Sequence, residues 1–397
     1  MVDWRMAGTK RFESTLYALL YIFINSLFVL KYTARITGYA PFAALLYASG
    51  AAVLLILCAH YYRDRMNTEL RYGSYIAVIV FLAALLLVLM KQVDPAGIQV
   101  GRYPALTEWI GDMLDGRYPY TSDLRPSGFP FLFVLALPFY ALGDVGLLQI
   151  CSFLLFGLLV FTRYPRHPGQ RYKTIVLLTA SPVFLYEVVV RSELFSNMAF
   201  VLLYLVLCER YLRSVNRPPL LVLGLAGGLM MSTRGIVFII FLIYFGFCFK
   251  SAVRDGLMFA GSLAAGFAIT VLPFLIWDAR HFLTQGPFSV QAAYAAPWLL
   301  ILVTAGSAAA VLFVKTVHGV YRSILVCLFG AVFVSLCVSV LREGFNASVM
   351  QSGFDISYFA FSLPFVLLLF DFRQASPGAM TTFFEYLKEK KTGKIEL

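Results

Sequence analysis

Acidic residues gather in one part of this chain at spacings that could support chemistry. The stretch from Val93 to Gly146 is the long polar, proline-rich and aromatic interruption in an otherwise apolar sequence. Within it a short helix is expected over residues 104–115, opened by Pro104 and closed by Gly116. Glu108, Asp112 and Asp115 stand at i, i+4 and i+7 of that helix and therefore share a face. A carboxylate there could accept a proton from an attacking hydroxyl, or hold a metal ion. The other reading is that the acids are the wet side of an interfacial helix, with Leu106, Trp109, Ile110, Met113 and Leu114 turned to lipid. Asp94, in an Asp-Pro turn, is a second candidate for the same role.

Three other segments carry charge at the ends of apolar runs. In YEVVVRSELFSN, Glu187 and Arg191 have the spacing of a helical ion pair, whereas Glu193 has no such partner in sequence. In MSTRGI, Arg234 lies at a tight break, where it either snorkels to the membrane edge or clamps a phosphate. In WDARHFLTQGPFSVQ, Asp278, Arg280, His281 and Gln291 lie together; Arg with His could bind a diphosphate, and loop solvation explains them as well.

The elements that must position these residues are membrane helices. Only 13% of the 397 residues are charged and 60% are hydrophobic, against about 25% charged in soluble domains. Apolar runs of bilayer length recur along the chain, and helices are one of two backbone solutions in lipid. About twelve spans are expected: 15–31, 39–60, 74–91, 146–162, 174–190, 196–211, 218–233, 236–250, 257–277, 297–314, 323–341 and 356–371. The net charge of +11 suits the positive-inside rule and not a nucleic-acid partner. Most of the 32 Lys and Arg residues fall on one side if both termini are cytoplasmic. That orientation makes residues 92–145 one extracytoplasmic loop, with 129–142 a re-entrant or interfacial helix. Pro182, Pro273 and Pro364 are expected at kinks or span ends. The six cysteines lie in or beside apolar runs, and the four histidines are too scattered for a metal cluster. The span interiors are nearly free of ionisable groups, which argues against an ion-coupled transporter.

The layout resembles the GT-C superfamily of polytopic glycosyltransferases. The residues that carry the resemblance are a G-x-x-P-Y turn, Gly116-Arg117-Tyr118-Pro119-Tyr120, and the proline- and aromatic-rich stretch Pro126 to Gly143 after it. The glycine-rich run Gly224 to Gly235, ending in a basic residue, and the outer acid Glu193 add to it. The likeness covers roughly residues 74–300. It implies an all-α bundle at 74–371, with two extra spans in 1–73 and a basic cytoplasmic tail at 372–397. It implies transfer of a hexose or pentose, with inversion, from a polyprenyl-phosphate-linked donor to a glycan, lipid or protein acceptor at the outer face of a bacterial inner membrane. Asp112, Asp115, Asp94 and Glu193 would be the catalytic carboxylates. Arg234, Arg280, Arg191 and His281 would face the donor phosphate, with a divalent ion such as Mg or Mn as a possible cofactor. Members place an aspartate well before the glycine of the turn, where this chain has Gly101. That departure keeps open a non-catalytic protein that binds lipid-linked sugar or a partner, beside a lipid or glycan transporter.

Overall fold

The computed structural model describes residues 4–64, 72–95, 102–121, 124, 126–164, 167–213, 220–293 and 296–370. The tail at 372–397 and the Gly101 position lie outside the described residues. Every regular element described is helical. The chain opens with three long apolar helices, α1 (Trp4–Thr33), α2 (Ala40–Asp64) and α3 (Tyr72–Lys91). Two short helices follow, α4 (Arg102–Leu114) and α5 (Pro130–Ala141), and then α6 (Leu147–Arg163), α7 (Pro168–Thr179), α8 (Pro182–Val189) and α9 (Leu194–Arg213). Next come α10 (Leu220–Met231), α11 (Val237–Phe249), α12 (Val253–Trp277), α13 (Ala279–Thr284) and α14 (Pro287–Ala292). The last are α15 (Pro297–Phe313), α16 (Val317–Glu343) and α17 (Leu363–Leu369), the last two separated by a π-helical turn over Asn346–Met350 and a 3-10 turn over Ile356–Phe361.

This is a helical, multi-pass membrane protein. Six described helices, α1, α2, α3, α9, α12 and α16, are long and apolar enough to cross a bilayer. The expected span 174–190 is instead a broken pair, α7 and α8, bent by 61°. Pro182 explains the break, because it cannot donate to the preceding turn. Asn25 of α1 fills the gap: its Oδ1 accepts from Val183 N at 3.2 Å and from the Ser181 hydroxyl. The other five expected spans correspond to shorter apolar helices. At 1.5 Å per residue, the 12 residues of α10 rise about 18 Å, less than the roughly 30 Å hydrocarbon core.

Charged and polar contacts tie the helix ends together. At one end of the bundle, Arg322 of α16 pairs with Glu13 of α1. Arg163 of α6 lies 3.6 Å from Glu209 of α9, and Lys250 donates to Val314 O at 3.0 Å. At the other end Lys91 of α3 reaches Asp144 at 2.6 Å. Arg35 there donates to the Ser352 hydroxyl at 3.1 Å.

The glycine-rich run has a packing role. A Cβ on Gly224 would lie 2.8 Å from the Phe259 carbonyl oxygen, and one on Gly228 would lie 2.5 Å from the Phe267 nitrogen. Both obstacles are backbone of α12. Small residues let α10 and α12 approach at backbone distance, the usual way helices adhere where no hydrophobic effect operates between them.

Candidate functional site

The expected amphipathic helix exists, starting two residues early at Arg102. Its apolar face meets protein, and this corrects the lipid-facing expectation. Trp109 is fully buried and stacks on Phe133 of α5, with ring centroids 3.9 Å apart and 9° between planes. Tyr120 is also buried, packs edge-on against both rings, and donates to Gly128 O at 3.0 Å. Gly116 has φ +74°, the left-handed conformation that ends a helix. Arg117 N then returns to Asp112 O at 2.8 Å, which closes the turn. Tyr118 donates to Phe274 O at 3.0 Å and Asp278 O at 2.9 Å, anchoring the turn to the end of α12. The G-x-x-P-Y element is thus a clasp between the loop helices and α12.

A second break, Ser232 to Gly235, separates α10 from α11. Its carbonyls are satisfied by the start of α5: Phe129 N donates to Thr233 O, and Phe131 N to Ser232 O, both at 3.1 Å. Arg234 follows directly and turns inward, 1% exposed. It pairs with Glu193 and donates to the Ser127 hydroxyl at 2.8 Å. Glu193 sits just before α9, where α8 has ended and the chain reverses.

Between α4, Leu124, residues 126–128, the α8–α9 junction and residues 355–358 lies a cavity of about 300 Å³. Its charged wall residues are Arg102, Glu193 and Asp355; Ser127, Ser192 and Ser357 add hydroxyls, and Phe133, Tyr186 and Tyr358 add rings. Arg102 pairs with Asp355 and donates to the Ser192 hydroxyl at 3.2 Å. Burial pulls the Arg102 pKa down, but Asp355, Glu187, Tyr358 and Tyr186 together hold the guanidinium above its ordinary value. Burial pushes the Asp355 carboxyl up; Arg102, with the Ser357 hydroxyl and N–H, holds it below the usual carboxylate range. The Glu193 Oε2 atom is buried with no protein hydrogen-bond partner.

The other expected residues are elsewhere. Asp112 and Asp115 lie 2.7 and 3.0 Å from Arg117, which is well exposed, and neither lines the cavity. Glu108 and Asp94 are exposed. The expected pairing of Glu187 with Arg191 does not form, because the helix stops at Val189 and Arg191 adopts φ +54°. Arg191 instead lies 3.7 Å from Asp144 and donates to Met90 O at 3.3 Å. Glu187 caps α9, accepting from Leu194 N at 3.0 Å and Phe195 N at 3.3 Å. Arg280 is exposed on α13. His281 contacts Asp278 at 2.6 Å, a local pair in which the His281 N–H and side chain hold the Asp278 carboxyl below its ordinary pKa. Of the expected set, the structure therefore brings only Glu193 and Arg234 to the cavity region.

Arg102 and Asp355 were not singled out in the sequence. Asp355 stands 253 positions from its partner, so no local pattern links them. The available signal was a lone acid in the apolar run before α17. As for a metal, no three His, Cys, Asp or Glu side chains converge among the described residues. Each cavity carboxylate already has a guanidinium partner, so this donor set does not fit a divalent ion. No family model, curated protein or solved structure matches the chain.

Proposed function

We propose that the chain is a membrane glycosyltransferase that takes a sugar from a polyprenyl-phosphate-linked donor, with the cavity at Arg102, Glu193 and Asp355 as its active site. One observation carries this reading. A partly open cavity in a largely apolar membrane protein is walled by one basic and two acidic residues, Arg102, Glu193 and Asp355. Charges buried in a membrane protein are costly and mark sites of function. The cavity stands at the low end of small-molecule sites, sized for one sugar and a phosphate.

The step is a displacement. An acceptor hydroxyl attacks the anomeric carbon as the bond from that carbon to the phosphate oxygen breaks. The hydroxyl proton passes to the Glu193 carboxylate. The bond pair leaves with the phosphate, which gains one negative charge, and Arg102 offsets it. Phe133, Tyr186 and Tyr358 offer ring faces to the sugar, and the serines offer hydrogen bonds. Asp112 and Asp115 lie outside the cavity and are less suited to the base role than Glu193. In this reading residues 92–145 face the periplasm of a bacterial inner membrane, the termini face the cytoplasm, and the shorter apolar helices complete a GT-C-like bundle.

The test is transfer by purified protein in detergent, using a panel of polyprenyl-phosphate monosaccharides with glycan, lipid and peptide acceptors. Transfer should occur with one donor and fall by about 10²-fold or more in Glu193→Gln. Full activity in that variant would eliminate Glu193 as the base. The engagement of both cavity carboxylates by arginines favours a second reading, a protein that binds a lipid-linked sugar without turning it over. Saturable binding with no transfer to any acceptor would select it.

A further inference from the structure

Arg234 is fixed from two directions, and both restraints end on one residue of a short outer helix. Gln291 of α14 accepts from Gly235 N at 2.7 Å through its Oε1. Its Nε2 donates to the Ser127 carbonyl. Ser127 is also the residue whose hydroxyl receives Arg234 at 2.8 Å. The result is a closed ring: Arg234 to the Ser127 hydroxyl, the Ser127 carbonyl to Gln291, and Gln291 to the N–H of the residue after Arg234. A single side-chain amide thus sets both the backbone at the break and the side-chain acceptor.

We infer that Gln291 is a positioning residue that holds Arg234 against Glu193, and through it sets Glu193 in the cavity wall. The inference deepens the proposed activity and rests on it for its kinetic part. The chemistry needs an amide at this position, because one end must accept an N–H and the other must donate to a carbonyl. A glutamate would keep the first bond and set a carboxylate against the Ser127 carbonyl. An asparagine is one methylene short of spanning both partners. Gly235 belongs to the same device: a Cβ there would stand 3.1 Å from the Gln291 oxygen and press it outward. The ring has consequences because Arg234 is 1% exposed and is the cation paired with Glu193. A guanidinium that swings away leaves the Glu193 carboxylate without a fixed direction, and small misplacements at a reacting centre are costly in rate.

Two readouts test this on the full chain in detergent, with folding of each variant checked by its gel-filtration profile. The first does not depend on activity. Phenylglyoxal modification of arginines, followed by mass spectrometry, should leave Arg234 protected in the wild type. It should label Arg234 at least five-fold faster in Gln291→Met and Gly235→Ala, with Arg171, buried at a distance, unchanged. The second readout applies to the donor that supports transfer. Gln291→Met should lower kcat by about ten-fold with KM within about two-fold, and Gln291→Glu should fall between it and the wild type. A residue that merely tethers α14 would lower thermal stability while leaving both Arg234 protection and kcat intact. That pattern would overturn the inference. If Arg234 is exposed by Gln291→Met while no donor supports transfer, the positioning role stands and the glycosyltransferase reading falls.

Discussion

Replacing Glu193 by leucine removes the carboxylate from a guanidinium that is itself 1% exposed. Arg234 would keep its hydrogen bond to Ser127, and its remaining charge would face protein. Breaking a buried pair from one side costs about 3–5 kcal/mol. In a chain this long each kcal/mol moves the midpoint by at most about 2 °C, so the Tm should fall by up to roughly 6–10 °C. Adding Arg234→Met removes the stranded charge and should recover most of that loss, because an apolar pair of similar volume is often as stable as a buried ion pair. The assay is thermal unfolding in one detergent for wild type, both single variants and the double, read as a double-mutant cycle. A shift below about 1 °C for Glu193→Leu, or additive single variants, would refute the reasoning. A stable double variant without ligand binding would show the pair to be kept for the site and not for the fold.

Other outcomes can be checked alongside. Gly228→Ala should destabilise by about 1–3 kcal/mol, because its Cβ meets α12 backbone and the helices must separate; the Tm reports it. Asp355 has a folded pKa below its unfolded value of about 3.9, so its contribution is present above that pH and is lost as pH falls through the folded value. Asp355→Asn should therefore flatten the acid limb of a Tm-against-pH curve, and an unchanged limb would contradict the pairing with Arg102. Asp112→Asn and Asp115→Asn should change transfer less than about three-fold while Glu193→Gln lowers it by about 10²-fold or more, and the reverse order would return the base role to α4. An impermeant thiol reagent added outside intact cells should label a cysteine at Glu108 and spare one at Arg254; the opposite pattern would invert the topology.

The sequence determined the helical membrane character, because a low charged fraction and recurrent apolar runs leave helices as the available backbone solution. It also located the α4 helix, the Gly116 turn and the break at Arg234, since proline, glycine and charge spacing act over a few residues. It named Glu193 as an acid without a local partner and Arg234 as a basic residue at a break, and these two are paired in the fold. Tertiary structure alone decided the rest. Helix length within an apolar run depends on where neighbours satisfy broken backbone, as Asn25 does for the Ser181–Val183 break and α5 does for Ser232 and Thr233. The face of α4 that meets protein was decided by Phe133, a residue on another helix. Arg102 and Asp355 meet across 253 positions, and Gln291 reaches Ser127 across 164. Such pairings are set by chain reversals that bring distant segments to one end of the bundle, and periodicity carries no record of which segments those are.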